Sequence, residues 1–398
     1  MEDKEHFRLN KVNRKRIALR TLSAKNKTSK GLQKMYFKLE HVLNDLGIDF
    51  RPSGRLLFEF GGHENILVTI RVPTEEEEQK YKAAQMCTAL SDEEPPNELR
   101  PIFDRLANNL MPEGVKKEEV PNVGVHQQID ESGRIKEGYV PSVSLFPEQF
   151  RAFESDLLHR LTECIRRTAK IIRWRNSPNR TSHNPIRSTL GMSWSFDGQG
   201  WHPMPHGLVF GDAEFTFYLP VSNETHLEMQ SLLKDGRDEP LGHELFLEAW
   251  ELRSRNPRSS LIIGMSAAEV SFKQCIGKLV PDAEWLASNV PTPPLDKMLS
   301  SYLPLLPARL TIEERVLKPP KSIRKAIEYG IRTRNLVVHV GGKPPKPKEL
   351  KELLLCVRDL LYLLDGYCGF EWAFDNLREE IKQEMRKEFG LKPTTFAV

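Results

Sequence analysis

The sequence predicts an α+β N-terminal part followed by an all-α C-terminal helical bundle. Three observations predict it. Between residues 55 and 72, apolar residues alternate in two short runs separated by Gly61-Gly62. From Pro147 an apolar stripe at helical spacing continues for about six turns. From Leu241 onward nearly every segment carries a helical period, punctuated by Pro and Gly.

A chain of 398 residues has room for two or three cores. Its net charge of +3 is too small to indicate nucleic acid, so only the placement of charge can do so. Cys87, Cys164, Cys275, Cys356 and Cys368 are scattered and never form a Cys-x-x-Cys pair, the pattern of reduced intracellular thiols rather than a zinc framework. The charged N-terminus is no secretory signal, and runs such as Leu360–Leu364 are too short to span a membrane. A cytoplasmic protein follows as the expectation. There is no Walker loop, dinucleotide fingerprint, or Ser or Cys nucleophile motif, so no cofactor is expected.

Residues 1–45 are read as a basic arm leading into a helix. Residues 6–39 hold eleven Lys or Arg and no acid, while Leu32, Met35, Tyr36, Leu39 and Leu43 follow helical spacing. Such an arm can lie along a phosphate backbone or simply be a solvated tail. Residues 46–235 read as one α+β domain. The run 55–60, the Gly pair and the run 66–72 make two strands and a turn. Residues 74–140, rich in Glu, Pro, Asn and Lys, read as a mobile surface insertion with a short helix near 99–110.

The helix from Pro147 buries Phe150, Phe153, Leu157, Leu161, Cys164 and Ile171. Its C-terminal half carries Arg160, Arg166, Arg167, Lys170, Arg173 and Arg175, either a nucleic-acid patch or a solvated face. Asp197-Gly198 between Met192–Phe196 and Trp201–Pro203 signals a hairpin. Its Trp194, Phe196 and Trp201 fit a hairpin core better than a base-stacking platform. His202 and His206 have metal-like spacing, but the intervening prolines favour an ordinary loop, so no metal site is assigned. Val209-Phe210 and Phe215–Leu219 add strands.

Residues 241–398 form the bundle, with helices near 241–255, 258–279, 293–303, 320–340, 348–366 and 370–388. On an ideal helix over 320–340, Ile323, Ile327, Ile331 and Val338 form a core stripe into which Arg334 points. A guanidinium there needs a carboxylate or an open cleft. Glu269, at the margin of the stripe Leu261, Met265, Ala268, Phe272, Ile276 and Leu279, is the candidate partner. Glu328, Arg332, Asn335 and His339, spaced four, three and four apart, make a polar ridge beside the core. Neutral His accepts a proton near neutral pH and Arg stabilises phosphate charge, although such a ridge is also an ordinary solvated face.

Arg334-Asn335-Leu336-Val337-Val338-His339 followed by a Gly pair resembles the Arg-Asn-x-x-x-His motif of the HEPN superfamily (higher eukaryotes and prokaryotes nucleotide-binding). Ser266–Glu269 resembles that family's acid-bearing helix, and 359–365 with 369–373 is similar to the last helices of its ApeA-like branch. The resemblance covers roughly residues 241–380. It implies a dimeric four- or five-helix bundle and a metal-independent endoribonuclease, commonly of toxin–antitoxin or antiphage defence systems, with an antitoxin or a phage-derived trigger as a further partner. It also implies roles: His339 in proton transfer, Arg334 on the phosphorane charge, Asn335 in positioning and Glu269 orienting Arg334. Glu328 and Arg332 are accessory candidates. Some members are non-catalytic modules that bind RNA, nucleotides or proteins, and that alternative stays open.

One tension accompanies these roles. Arg334 and His339 lie about 140° apart around an ideal helix, whereas Arg332 is nearly eclipsed with His339. Either the last turn is distorted, the site is completed across a dimer, or Arg332 shares the role.

Overall fold

The computed structural model describes residues 34–44, 46, 48–49, 54–60, 65–81, 85–113, 132–136, 139–176, 185–205, 219–220, 222–289, 294–392 and 394–396. The N-terminal part is built on β1 (Met35–Leu43), β2 (Ile48–Asp49), β3 (Arg55–Phe60), β4 (Ile66–Arg71) and β5 (Gln85–Glu93). Helices α1 (Glu75–Tyr81), α2 (Arg100–Ala107) and α3 (Glu148–Asn176) are interleaved with them, followed by β6 (Ile186–Ser195), β7 (His202–Pro203), β8 (Leu219–Pro220) and α4 (Asn223–Lys234). Six strands pair antiparallel in the order β3-β4-β5-β1-β6-β7, and β2 pairs β8 in parallel.

The helical expectation for residues 35–43 is corrected: they form the strand β1, inside the sheet. Met35, Phe37 and Leu39 are buried while Tyr36, Lys38 and Glu40 are half-buried, a period of two. Pairing on both sides, with β5 and β6, overrides the helical spacing that selecting Tyr36 over Phe37 produced. The arm at residues 1–33 lies outside the described residues. The surface insertion is corrected in part as well, because β5 lies between β4 and β1. Its acids, which made the segment read as surface, are neutralised by distant partners. Asp92 accepts from Lys34 at 3.0 Å and from Asn65 at 2.7 Å, and Glu93 takes the Arg160 guanidinium at 2.8 Å.

The predicted strands 55–60 and 66–72 and the Asp-Gly hairpin are present as β3–β4 and β6–β7. The strand expected at 209–210 lies outside the described residues, and of the one expected at 215–219 only Leu219 is described, in β8. Helix α3 packs across β1, β4 and β5, burying Phe150, Leu157, Leu161 and Ile165. Phe37 meets Phe103 and Phe153 edge-on at 5.9 and 5.5 Å, tying sheet, α2 and α3 together. Helix α4, which the sequence reading omits, starts where the Ser222 hydroxyl accepts from the Thr225 N–H. It covers the edge strand β3: His226 Nε2 bonds the Leu57 carbonyl at 2.8 Å, and Gln230 exchanges two 3.0 Å bonds with the Glu59 backbone.

The second part contains α5 (Leu241–Leu252), α6 (Pro257–Leu279), α7 (Glu284–Asn289), α8 (Leu295–Lys297), α9 (Lys321–Val340), α10 (Pro347–Tyr367), α11 (Trp372–Asp375) and α12 (Glu379–Phe389). The expected helix at 293–303 is a short α-turn continued by Met298–Tyr302 and Leu303–Leu305 turns of different pitch. The one at 370–388 is split into α11 and α12. Helix α6 packs against α5, α7, α9 and α10, and α10 is buried on most of its surface.

The two parts share one core, a continuous cluster of buried side chains from Met35 to Leu391. Their junction is polar at its centre. Trp174, near the end of α3, donates its indole N–H to Asp365 Oδ2 at 2.9 Å; His243 Nε2 meets the same oxygen at 2.8 Å. The Tyr362 hydroxyl donates to the Trp174 carbonyl at 3.1 Å, and Arg173 pairs with Glu239. Among the described residues no helix is long and apolar enough to cross a membrane.

Candidate active site

Helix α9 begins after Pro320 and remains regular through Val340. Gly341 then takes φ 69°, a left-handed conformation that costs glycine nothing. The N–H groups of Gly341 and Gly342 both return to the Leu336 carbonyl. The helix thus closes through five- and six-residue bonds onto Leu336, and the α-helical run up to Val340 includes His339.

The buried face of α9 is Ile323, Ile327, Gly330 and Val337, with Ile331 at its margin. Val338, expected in the core, is 51% exposed. Gly330 accounts for the change. A Cβ at that position would collide with the Met265 sulfur of α6 and come within 3.0 Å of Leu353 of α10. The helix seats against both neighbours at the glycine, and the stripe continues to Val337.

Arg334, four residues after Gly330 and three before Val337, emerges at the α6 boundary. Its Nη1 donates to Glu269 Oε1 at 2.6 Å, with the two side chains 24% and 28% exposed. Its Nη2 lies 3.5 Å from Asn335 Oδ1. The carboxylate thus holds one edge of the guanidinium and leaves the other directed toward the exposed Asn335.

Glu328, Arg332, Asn335 and His339 are all exposed, so the ridge is an open face of α9. Because the helix stays regular, His339 looks outward while Arg334 turns to α6, and one chain does not converge them. Arg332 shares the outward line of His339. Around that end of the helix, Leu336, Val338 and Val340 are 51%, 51% and 75% exposed.

The other candidates fall elsewhere. In the basic half of α3, the candidate nucleic-acid patch, the cations pair with carboxylates. Arg160 pairs with Glu93 and Asp156, Arg166 with Glu163, Arg167 with Asp238 at 2.8 Å, Lys170 with Glu244 at 2.7 Å, Arg173 with Glu239, and Arg175 with Glu228 at 2.6 Å. Arg173 is buried. Asp156 and Glu163 are neighbours on the same helix, but sequence alone does not reveal the pairings with Glu93, Glu228, Asp238, Glu239 and Glu244, which lie far along the chain.

Trp194 is fully buried and stacks on His202 with ring centres 4.6 Å apart, while Lys38 Nζ sits 4.8 Å from the Trp201 ring. His206 lies outside the described residues. Among the described residues no three or more His, Cys, Asp or Glu are grouped to hold a metal ion, and the five cysteines are buried and form no disulfide. Sequence reasoning misses the Asp365–His243–Trp174 cluster; its one signal is an acid closing the apolar run Leu360–Leu364.

Comparisons of the chain with protein-family models, with curated proteins and with solved structures found no match.

Proposed function

We propose that this protein is an endoribonuclease whose site is built from Arg334, Asn335 and His339 of α9 and Glu269 of α6. The observation that carries the reading is the Arg334–Glu269 bond at 2.6 Å. It links the two helices that the resemblance to the HEPN superfamily pairs, and it leaves the guanidinium partly exposed beside Asn335. Glu269 fixes the orientation of a permanent cation, so the cation need not reorganise as negative charge develops on a phosphate.

In the reaction, the ribose 2′-oxygen attacks the adjacent phosphorus and the bond from phosphorus to the 5′-oxygen breaks. The His339 imidazole takes the 2′-hydroxyl proton and, as the imidazolium so formed, delivers a proton to the departing 5′-oxygen. The products are a 2′,3′-cyclic phosphate and a 5′-hydroxyl. Arg334 stabilises the charge on the phosphorane, and Asn335 positions the scissile phosphate.

The site is composite: a second copy brings its His339 toward the first copy's Arg334. The divergence of the two side chains on a regular helix favours this arrangement over a site within one chain. The exposed Leu336, Val338 and Val340 supply apolar surface for such a homodimer. Antiphage or toxin–antitoxin defence is the setting that the resemblance suggests, and a non-catalytic RNA-, nucleotide- or protein-binding module is the alternative. The test is incubation of the purified full chain with RNA in excess EDTA. Cleavage with cyclic-phosphate ends is expected, and its loss in His339→Ala and Arg334→Ala chains of unchanged fold. Full activity in both variants refutes the assignment.

A further inference from the structure

The cations in the basic half of α3 pair with carboxylates, but those around His339 do not. On an ideal helix Lys321, Lys325 and Arg332 project within about 40° of His339, and all four are exposed. Beyond the Gly341 turn, the loop to α10 and its first turn carry Lys343, Lys346 and Lys348, also exposed. None of these six cations joins an ion pair among the described residues.

The nearest acids are occupied or few. Glu349 accepts from the Tyr329 hydroxyl and the Lys346 backbone N–H, both at 3.2 Å. Glu388 takes the Arg324 guanidinium and, at 2.7 Å, the Lys321 N–H. Glu328 is the one acid on the outward line of α9. From Lys321 to His339 the line runs roughly 27 Å at 1.5 Å per residue, long enough to follow several nucleotides.

We infer that this face of α9 and the loop to α10 form a phosphate track that binds single-stranded RNA on both sides of the scissile bond. The inference rests on the cleavage reading above and adds to it where the substrate lies and in what form. A single strand fits because attack by the 2′-oxygen needs the nucleotide free to swing in line with its leaving group, which a base-paired helix resists. Lysines on flexible stems suit this role, as they follow a backbone without reading sequence.

The test uses the full chain carrying His339→Ala, a labelled unstructured RNA oligonucleotide and a salt series. Replacing Lys321, Lys325, Lys343, Lys346 and Lys348 together by Gln should weaken binding at least tenfold. The slope of log affinity against log salt should fall by about 0.7 for each phosphate that is no longer neutralised. The same five positions changed to Arg should keep affinity and slope, and Lys80→Gln with Lys234→Gln should change neither. An unchanged slope in the Gln set overturns the track. Competition by polyglutamate as effective as RNA at equal charge also overturns it, in favour of an acidic protein partner. Cleavage is scored separately, with His339 intact. Lysine-dependent binding without cutting keeps the track and refutes the ribonuclease; cutting that is indifferent to the five lysines does the reverse.

Discussion

Arg334 of α9 and Glu269 of α6 are joined by a 2.6 Å bond at the rim of the bundle, where each side chain is about one-quarter exposed. A pair this accessible to solvent contributes about 0–1 kcal/mol to stability. Its value in the proposed reaction is orientation. Glu269→Ala should therefore leave the urea midpoint nearly unchanged and lower RNA cleavage about 100-fold. Arg334→Ala should remove most of the activity, and the double variant should be no worse than Arg334→Ala alone. Multiplicative losses in steady-state cleavage assays would show that the two residues act independently.

The divergence of Arg334 and His339 gives a sharper test. If each site takes Arg334 from one copy and His339 from the other, inactive Arg334→Ala and His339→Ala chains should complement on mixing. After subunit exchange half of the dimers are mixed, each with one intact site of two, so about a quarter of wild-type activity should return. Sites built within one chain would return none, and Arg332 would then become the residue to replace.

His41 makes the fold sensitive to acid. Burial on the inner sheet face, with the Arg166 cation nearby, lowers its imidazole from 6.5 to about 4. The folded chain thus holds His41 neutral over a range in which the unfolded chain protonates it. The associated stability is complete above pH 6.5 and falls away as pH drops toward 4, by about 3 kcal/mol in total. Urea unfolding at pH 7, 6, 5 and 4 should show that decline, and His41→Leu should flatten it. A decline equally steep in His41→Leu would place its origin elsewhere.

Trp174 should be among the costliest residues to truncate. It is buried at the junction of the two parts, and its indole N–H and carbonyl are both bonded to α10. Trp174→Ala should cost about 3–5 kcal/mol. Because the core is continuous, the sheet and the helices should lose structure in one transition. Far-UV dichroism and the fluorescence of Trp194 in β6 should then share a midpoint, and two separated midpoints would refute the coupling.

Local pattern was sufficient where it matched tertiary fate. The alternation at 55–60 and 66–71, the stripe from Phe150 to Ile171 and the Pro and Gly stops that bound α9 became the elements they announce. It failed where partners far along the chain decided the outcome. The acids of β5 look like surface until Lys34, Asn65 and Arg160 meet them, and the arginines of α3 look free until Glu228, Asp238 and Glu239 do. In the candidate site the Arg334–Glu269 pairing was legible because two helical stripes pointed at each other. The seating of Val337 rather than Val338 was not, because it depends on how closely α6 and α10 approach Gly330.

The way α4 closes β3 has a consequence for assembly. Gln230 and His226 occupy backbone groups at Glu59 and Leu57 that a foreign strand would otherwise seize. At the opposite border, β7 has only two residues and one is proline. At the β3 border the groups at Leu57 and Glu59 are therefore closed to strand addition. A second copy that approaches this border meets helix α4 before it meets a strand.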